Sequence, residues 1–294
     1  MPGTRTIDLS VIIPVFNGEG FIRDCLRAVI AELHFLSSEI ICIDDGSTDG
    51  SARIISSEFP AITLVRHEDN RGFARACNSG LERAKGSVVF LLNQDTRCRE
   101  DSVRRMYERI AADISIGLIG PRFVGFDGKL QKKCSAFPTF ANLTYKFSGL
   151  ARLFPGSRHF NGLSMGWFDH ECEMVVEQPM GAALMLRRGV LEEIGPLDES
   201  FPIFFNDVDW ALRIVRAGYR NLYFPRAVVE HYVGSATRPQ KPRMVRESHR
   251  SLYRFLAKHY RGIRWWPALF SWRIILYLSG LLRAVYWTAR MKRQ

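Results

Sequence analysis

Residues 9–46 read LSVIIPVFNGEGFIRDCLRAVIAELHFLSSEIICIDDG, and their pattern decides the fold class. Leu9 to Val15 is a continuous apolar run that gives way to Phe16-Asn17, as expected of a strand buried on both faces of a parallel sheet. Phe21, Cys25, Leu26, Val29, Ile30 and Leu33 then recur at helical spacing, predicting a helix over 21–35. Residues 39–43 form a second apolar strand, stopped by Asp44-Asp45-Gly46. A βαβ unit is complete before residue 47, and such units imply a parallel sheet with right-handed crossovers.

The alternation continues outward. Helices are predicted at 51–58, 73–84 and 101–112, with strands at 62–66, 87–92 and 116–119, the last closed by Pro121. The fold class is therefore α/β, and ligands bind such sheets beyond the carboxyl ends of the strands. Asn17, Asp45 and Asp95 all stand just past such ends. Residues 122–175 are irregular and read as a functional insertion or lid. Regular pattern returns as a strand at 181–186, a helix at 207–217, and strands at 221–224 and 228–233. The expected organisation is a domain over 1–240, with a nucleotide-binding half at 1–121 and an acceptor half at 122–240, then a tail at 241–294.

The charge balance supports that division. The chain has 294 residues and a net charge of +11, yet from Ser248 onward there are ten Lys or Arg and no acid. A near-neutral globule thus precedes a basic tail. With 47% hydrophobic and 24% charged residues, wholesale disorder and a fibre are excluded. No uncharged apolar run of ~18 residues occurs, which argues against a polytopic membrane protein. The six cysteines are scattered without a C-x-x-C pair and read as core thiols rather than a disulfide framework or zinc site. The polar first eight residues do not look like a signal peptide, so the cytoplasm is the expected compartment.

Two nucleotide signatures are absent, G-x-x-x-x-G-K-[ST] and G-x-G-x-x-G after the first strand, and no G-x-S-x-G stands at a strand-to-helix elbow, its one occurrence at Gly162–Gly166 lying in the irregular 122–175 stretch. Other polar clusters must carry the chemistry. Asp44-Asp45-Gly46-Ser47-Thr48-Asp49 has the composition of a capped turn. Capping explains Ser47, Thr48 and Asp49 better than it explains two adjacent carboxylates, so Asp45 is a candidate acceptor for a nucleobase N–H or ribose hydroxyls. Asn93-Gln94-Asp95 ends a buried strand. Asp95 there is either a cap or an oxygen ligand for Mg2+ or Mn2+. Asn206-Asp207-Val208-Asp209-Trp210 opens a helix, and aspartates at i and i+2 do not share a helix face. One should face a site as a general base while the other caps or pairs with Arg213. His231 is either structural or, with Asp95, a second metal ligand.

Together the strings SVIIPVFNGEGFIRDCL, IICIDDGSTDGS, NRGFARACNSGLERAKGSVVFLLNQD, GAALMLRRGVLEEIGPLDESFPIFFNDVDWALR and VVEHYVGS resemble the family 2 inverting glycosyltransferases of GT-A fold. They run in order over roughly residues 8–235. The resemblance implies a donor pocket of Pro14, Val15, Phe16, Asn17, Asp45, Gly72, Asn93, Gln94 and Asp95. It implies a sugar or acceptor pocket of Gly181, Ala182, Asn206, Asp209, Trp210 and Arg213. Asp207 takes the place of the catalytic base, and Asp95 and His231 of ligands to Mg2+ or Mn2+. The LLNxD form and the GAALMLRR block look most like bacterial rhamnosyltransferases using dTDP-rhamnose, although UDP- or GDP-sugars and a catalytically degenerate binding protein are alternatives. The implied acceptor is a glycan or lipid-linked sugar in cell-surface polysaccharide synthesis. Asn93 stands where D-x-D has its first carboxylate, and Asn206 where Glu usually precedes the base.

In the tail, helical patterns at 244–260 and 267–291 combine Trp, Leu and Ile with Arg. This fits a basic amphipathic helix on the anionic inner face of the cell membrane. A nucleic-acid patch and a helix packed on the domain or in a homodimer are the alternatives. Leu and Ile at helical spacing favour lipid over nucleic acid.

Overall fold

The computed structural model describes residues 7–232 and 241–291. Its first half alternates as expected: β1 (Leu9–Val15), α1 (Ile22–Glu32), β2 (Ser38–Asp44), α2 (Ser51–Glu58), β3 (Thr63–Arg66), α3 (Phe73–Leu81) and β4 (Val88–Leu92). There follow β5 (Thr96–Cys98), α4 (Ser102–Ala112), β6 (Ile116–Val124), α5 (Phe140–Phe147), α6 (Leu150–Leu153) and β7 (Met174–Val175). The chain continues through β8 (Ala183–Arg187), α7 (Arg188–Ile194), α8 (Asn206–Arg216), β9 (Arg220–His231), α9 (Lys241–His259) and α10 (Trp266–Met291).

The strands form one sheet ordered β3-β2-β1-β4-β8-β6-β9-β5, with β7 paired to β9. β3, β2, β1 and β4 are parallel to their neighbours. β8 then inserts antiparallel to both β4 and β6, so the sheet becomes mixed in its second half. The strand beginning at Ile116 thus lies one place further out than a simple alternation predicts, parallel to β9. Both faces of β1 are buried, which is why its sequence is uniformly apolar. Val11, Ile13 and Val15 pack with Cys25, Leu26 and Val29 of α1 and with Val103, Met106 and Ile110 of α4. Ile12 faces Ala74 and Cys77 of α3 and Trp210 and Ile214 of α8.

Several expectations are corrected. Pro121 does not close β6, which runs on to Val124, and the strands expected at 221–224 and 228–233 are one strand through Pro225. The register explains both: Phe224 opposes Pro121 and Val228 opposes Arg122, so residues 225–227 bulge out. Each proline sits at the irregularity, where a missing N–H does least harm. The extension of β9 to 233 lies outside the described residues. The 122–175 insertion contains α5, started by a Thr139–Asn142 capping box. β5, α6, β7 and α7 are additional.

The tail is packed, not separate. Phe255 of α9 sits with Phe201 and Val208, while Leu252 and Leu256 meet Trp272 and Leu276 of α10 and Leu143 of α5. α9 therefore shares the core of the domain expected to end at 240. On α10, Trp272, Leu276 and Ala284 are buried while Phe270, Tyr277, Leu278, Leu282 and Val285 are exposed. Residues Ile263–Thr288, which contain an 18-residue window of mean hydropathy 1.4, are long and apolar enough to cross a membrane by length and composition. The requirement for an uncharged run hid this, because Arg273 and Arg283 interrupt it.

Candidate active site

The exits of β1 and β2 are tied together before any ligand is considered. The Asp45 N–H donates to Val15 O (2.8 Å), and the Asn17 N–H to Ser47 Oγ (2.9 Å). Asn17 Oδ1 accepts from the Thr48 N–H (2.9 Å), with Asn17 held at φ 47°. Asp44 is spent on structure: it accepts from Arg66 Nε (2.8 Å) and the Ser47 N–H (3.1 Å). Asp45 accepts from His67 Nδ1 (2.7 Å), the Arg71 N–H (3.1 Å) and the Gly72 N–H (2.8 Å). Its carboxylate reaches the cleft, yet it also anchors residues 67–72. Gly72, at φ 96°, begins α3, and an added Cβ would stand 3.0 Å from Pro202 O.

At the β4 exit Gln94 clamps the β1 exit from both sides, accepting from the Phe16 N–H and donating to Phe16 O, each at 3.0 Å. A Cβ at Gly18 would meet Gln94 Oε1 at 2.1 Å, so this clamp requires glycine there. The middle residue of the Asn93-Gln94-Asp95 run is thus a positioning group. Asp95 is almost buried, and His231 Nε2 lies 3.6 Å from its Oδ1. Gln131 sets the histidine tautomer. Its Nε2 donates to His231 O (2.8 Å), turning Oε1 toward His231 Nδ1 at 3.2 Å. Nδ1 must then carry the hydrogen, leaving a lone pair on Nε2 toward Asp95. Burial pushes the His231 pKa below its usual value, which keeps the ring neutral and able to ligate. A lone pair and a carboxylate facing one another fit a divalent cation. Among the described residues no third His, Cys, Asp or Glu joins them.

Asp207 occupies the first turn of α8, after Phe205 in a left-handed conformation at φ 72°. Its Oδ1 accepts from the Val208 N–H (2.9 Å) and its Oδ2 from Gln178 Nε2 at a long 3.4 Å. Burial pushes its carboxyl above the ordinary aspartate range, with these two donors opposing the rise. Gly181 faces it so closely that a Cβ would lie 2.4 Å from Oδ2. Asn206 turns away, donating to Phe201 O (3.2 Å) and Ile203 O (3.0 Å) and so shaping the 201–205 loop.

Asp209 points to the opposite side of α8. It meets Arg213 Nε (2.9 Å), Lys258 Nζ (2.7 Å) and His259 Nε2 (2.7 Å). Burial works to raise its pKa, but the His259 and Lys258 hydrogen bonds and the Arg213 charge together outweigh it and hold it at about 2. Trp210 is fully buried, with Nε1 donating to Gly195 O (2.9 Å). The expectation that Asp209, Trp210 and Arg213 line a sugar pocket is therefore corrected: all three brace α8 from behind.

A cleft of about 550 Å3 collects the rest. It brings together Pro14, Val15, Phe16, Asp45 and Gly72 with Asn93, Gln94, Asp95 and His231, and with Gly181, Ala182, Asn206 and Asp207. Asn17 stays outside the lining. Asn70, Phe73 and Ala76, with Met180, Ile203, Phe204, Phe205, Arg243 and Met244, complete the walls and were not foreseen. The aromatic run before Asn206 was a visible signal. Gln131 and Gln178 carried none, since their partners are 100 and 29 residues away.

The family model of glycosyl transferase family 2 matches residues 10–171, more than half the chain. "Glycosyltransferase GlyA" of Streptococcus pneumoniae serotype 4 is 34% identical over 114 residues, which are 37% of this chain and only 16% of that protein. The N-acetylglucosaminyl-diphospho-decaprenol L-rhamnosyltransferase of Mycobacterium tuberculosis is 24% identical over 250 residues, covering 80% of this chain and 79% of that one. Among solved structures, the mannosyltransferase PcManGT of Pyrobaculum calidifontis, in complex with GDP-Man and Mn2+, superposes with a TM-score of 0.59. It is 21% identical, with 99% of this chain and 76% of that chain covered, a likeness of fold.

Proposed function

The chain belongs to glycosyl transferase family 2, and from that premise we propose that the cleft transfers a sugar, with inversion, from a nucleotide-sugar donor to a glycan or lipid-linked acceptor. The observation that carries this reading is Asp207: a carboxylate of raised pKa opens into the same cleft as Asp45, Asp95 and His231. As the acceptor hydroxyl attacks, Asp207 takes its proton. The new C–O bond forms at the anomeric carbon while the bond to the diphosphate breaks on the opposite face. Asp95 and His231 would hold Mg2+ or Mn2+, which when bound offsets the charge of the leaving diphosphate. Pro14 to Phe16, pinned by Gln94, and the rim near Asp45 and Gly72 would receive the nucleoside.

Rhamnose from dTDP-rhamnose is the favoured donor, supported by the mycobacterial relative; GDP- or UDP-sugars are the alternative. The exposed apolar side of α10 supports a site of action on the inner face of the cell membrane, in cell-surface polysaccharide synthesis. The test is to incubate the full chain and Mn2+ with a panel of nucleotide-sugars and follow nucleoside diphosphate release. Turnover of one donor, lost in Asp207→Asn, is expected. Binding of a donor with no turnover on any glycan or lipid-linked acceptor would overturn the reading in favour of a binding protein.

A further inference from the structure

The charge of the chain is unevenly placed. Residues 130–168 hold five Lys or Arg and no acid, as residues 248–294 hold ten and none. The remainder, with the other 26 Lys or Arg and all 30 acids, has a net charge of −4. The two acid-free segments are far apart in sequence and meet in the fold. Leu143 and Leu163 of the first are buried with Trp272 and Leu276 of the second. The rings of Phe140 and Phe147, at the two ends of α5, lie 5.4 Å from Trp265 and 5.2 Å from Trp272, so α5 runs beside the start of α10. One pole of the molecule therefore carries its unbalanced positive charge.

The same pole carries most of the exposed apolar surface. Among the described residues 19 large hydrophobic side chains are exposed, and 13 of them lie in these two segments. Eleven fall within residues 263–286; the other two, Leu153 and Phe154 at the end of α6, are 69% and 45% exposed. Phe154 leans on Phe160 (5.1 Å between ring centres) and Phe160 on Tyr145 of α5 (5.3 Å), which ties the α6 tip to α5. Lys146, Arg152 and Arg158 flank that tip in sequence and are exposed. Among the described residues none of these three pairs with a carboxylate. Cations without counter-charge beside projecting Leu and Phe match a partner that is anionic at its surface and apolar beneath. A nucleic acid would use the charge and leave Leu153 in water.

We propose that the α6 tip, Arg152-Leu153-Phe154, is a second lipid contact that docks on an anionic bilayer together with the exposed side of α10. The inference rests on the membrane placement proposed above and adds the insertion to it. A single helix lying on lipid leaves the domain free to roll about the helix axis. A second foothold on another element removes that freedom and fixes how the cleft is presented.

The test is sedimentation of the full chain with phosphatidylcholine vesicles containing phosphatidylglycerol, for the wild type, Arg152→Glu/Leu153→Glu and Leu278→Lys/Leu282→Lys. Arg152 and Leu153 are exposed and lie outside the cleft, so the Tm of the first variant should equal that of the wild type. Its vesicle affinity should fall by about tenfold or more, since a favourable charge is lost, an unfavourable one gained and an apolar contact removed. Amide hydrogen exchange at residues 150–154 of the wild type should slow on the vesicles, a readout independent of any substitution. Wild-type affinity in the α6 variant, or exchange at 150–154 unchanged by vesicles, would overturn the proposal; loss of binding in the α10 variant alone would leave the membrane placement standing. A wild type that fails to sediment would overturn that placement and the proposal with it. An α6 variant that loses affinity for a single-stranded oligonucleotide but not for vesicles would give the tip to nucleic acid and overturn it as well.

Discussion

The two walls of the cleft are built on opposite terms. On the Asp45 wall nearly every polar atom is already committed: Asp45 has three donors, Asn17 and Ser47 hold each other's loops, and Gln94 is bonded in both directions. On the Asp207 wall the carboxylate keeps one backbone bond and one side-chain bond of 3.4 Å, and burial raises its pKa. A saturated wall is rigid and suits recognition of an invariant moiety. A sparsely bonded wall leaves lone pairs for chemistry. Disturbing the first should therefore cost stability, and disturbing the second should cost rate.

Asp207→Asn is the strongest way to break this contrast. It keeps the shape and removes the base, so turnover should drop by ~10²-fold or more at unchanged Tm and donor affinity. Equal loss of donor binding would make Asp207 a binding group. Asp95→Ala comes next. Mn2+ affinity, read by titration calorimetry, should fall by at least ~10-fold, with His231→Ala in the same direction. Unaltered, EDTA-sensitive turnover would move the metal elsewhere.

Asp45→Ala probes the saturated wall. It strands the Arg71 and Gly72 N–H groups and His67, so unfolding free energy should fall by about 3 kcal/mol. A stable variant that merely loses nucleotide would show the carboxylate to be a ligand first.

Asp209 tests the bracing behind α8. Its folded pKa of about 2 lies below that of an unfolded aspartate, so its contribution is fully present above pH ~4 and is lost as pH falls toward 2. Asp209→Asn should lower Tm clearly at pH 7, and the gap from wild type should close as pH approaches 2. A gap independent of pH would reject the assignment. The smallest effect on the fold is expected from Leu278→Lys/Leu282→Lys, which should weaken vesicle pelleting with Tm unchanged. Truncation after Tyr260 is a poorer test, because it uncovers Leu252 and Leu256.

Local chemistry made much of this readable. β1, β4 and the second half of β2 are buried on both faces, so their apolar runs and the polar residues ending them stand out in the chain. The Asp207 and Asp209 pair could be separated by helix geometry alone, although not which one faced the cleft. What could not be read depends on distant partners. β8 is an ordinary apolar strand whose insertion between β4 and β6 leaves no local mark. Gln131 matters only because β9 brings His231 to it, and Arg243 only because α9 folds back over the cleft mouth. β5 and β7, at three and two residues, are too short for any period to show.

The bonds from Asp209 to Lys258 and His259 have one more consequence. They fasten α8 to the hairpin two residues from Asp207, and α10 spans ~39 Å at 1.5 Å per residue over its 26. If the hairpin rests on a bilayer, as proposed above, the height of the Asp207 carboxylate over the lipid would be a property of the protein, not of its substrate. On the proposed function the molecule would then act as a ruler, reaching acceptor sugars at one distance from the lipid.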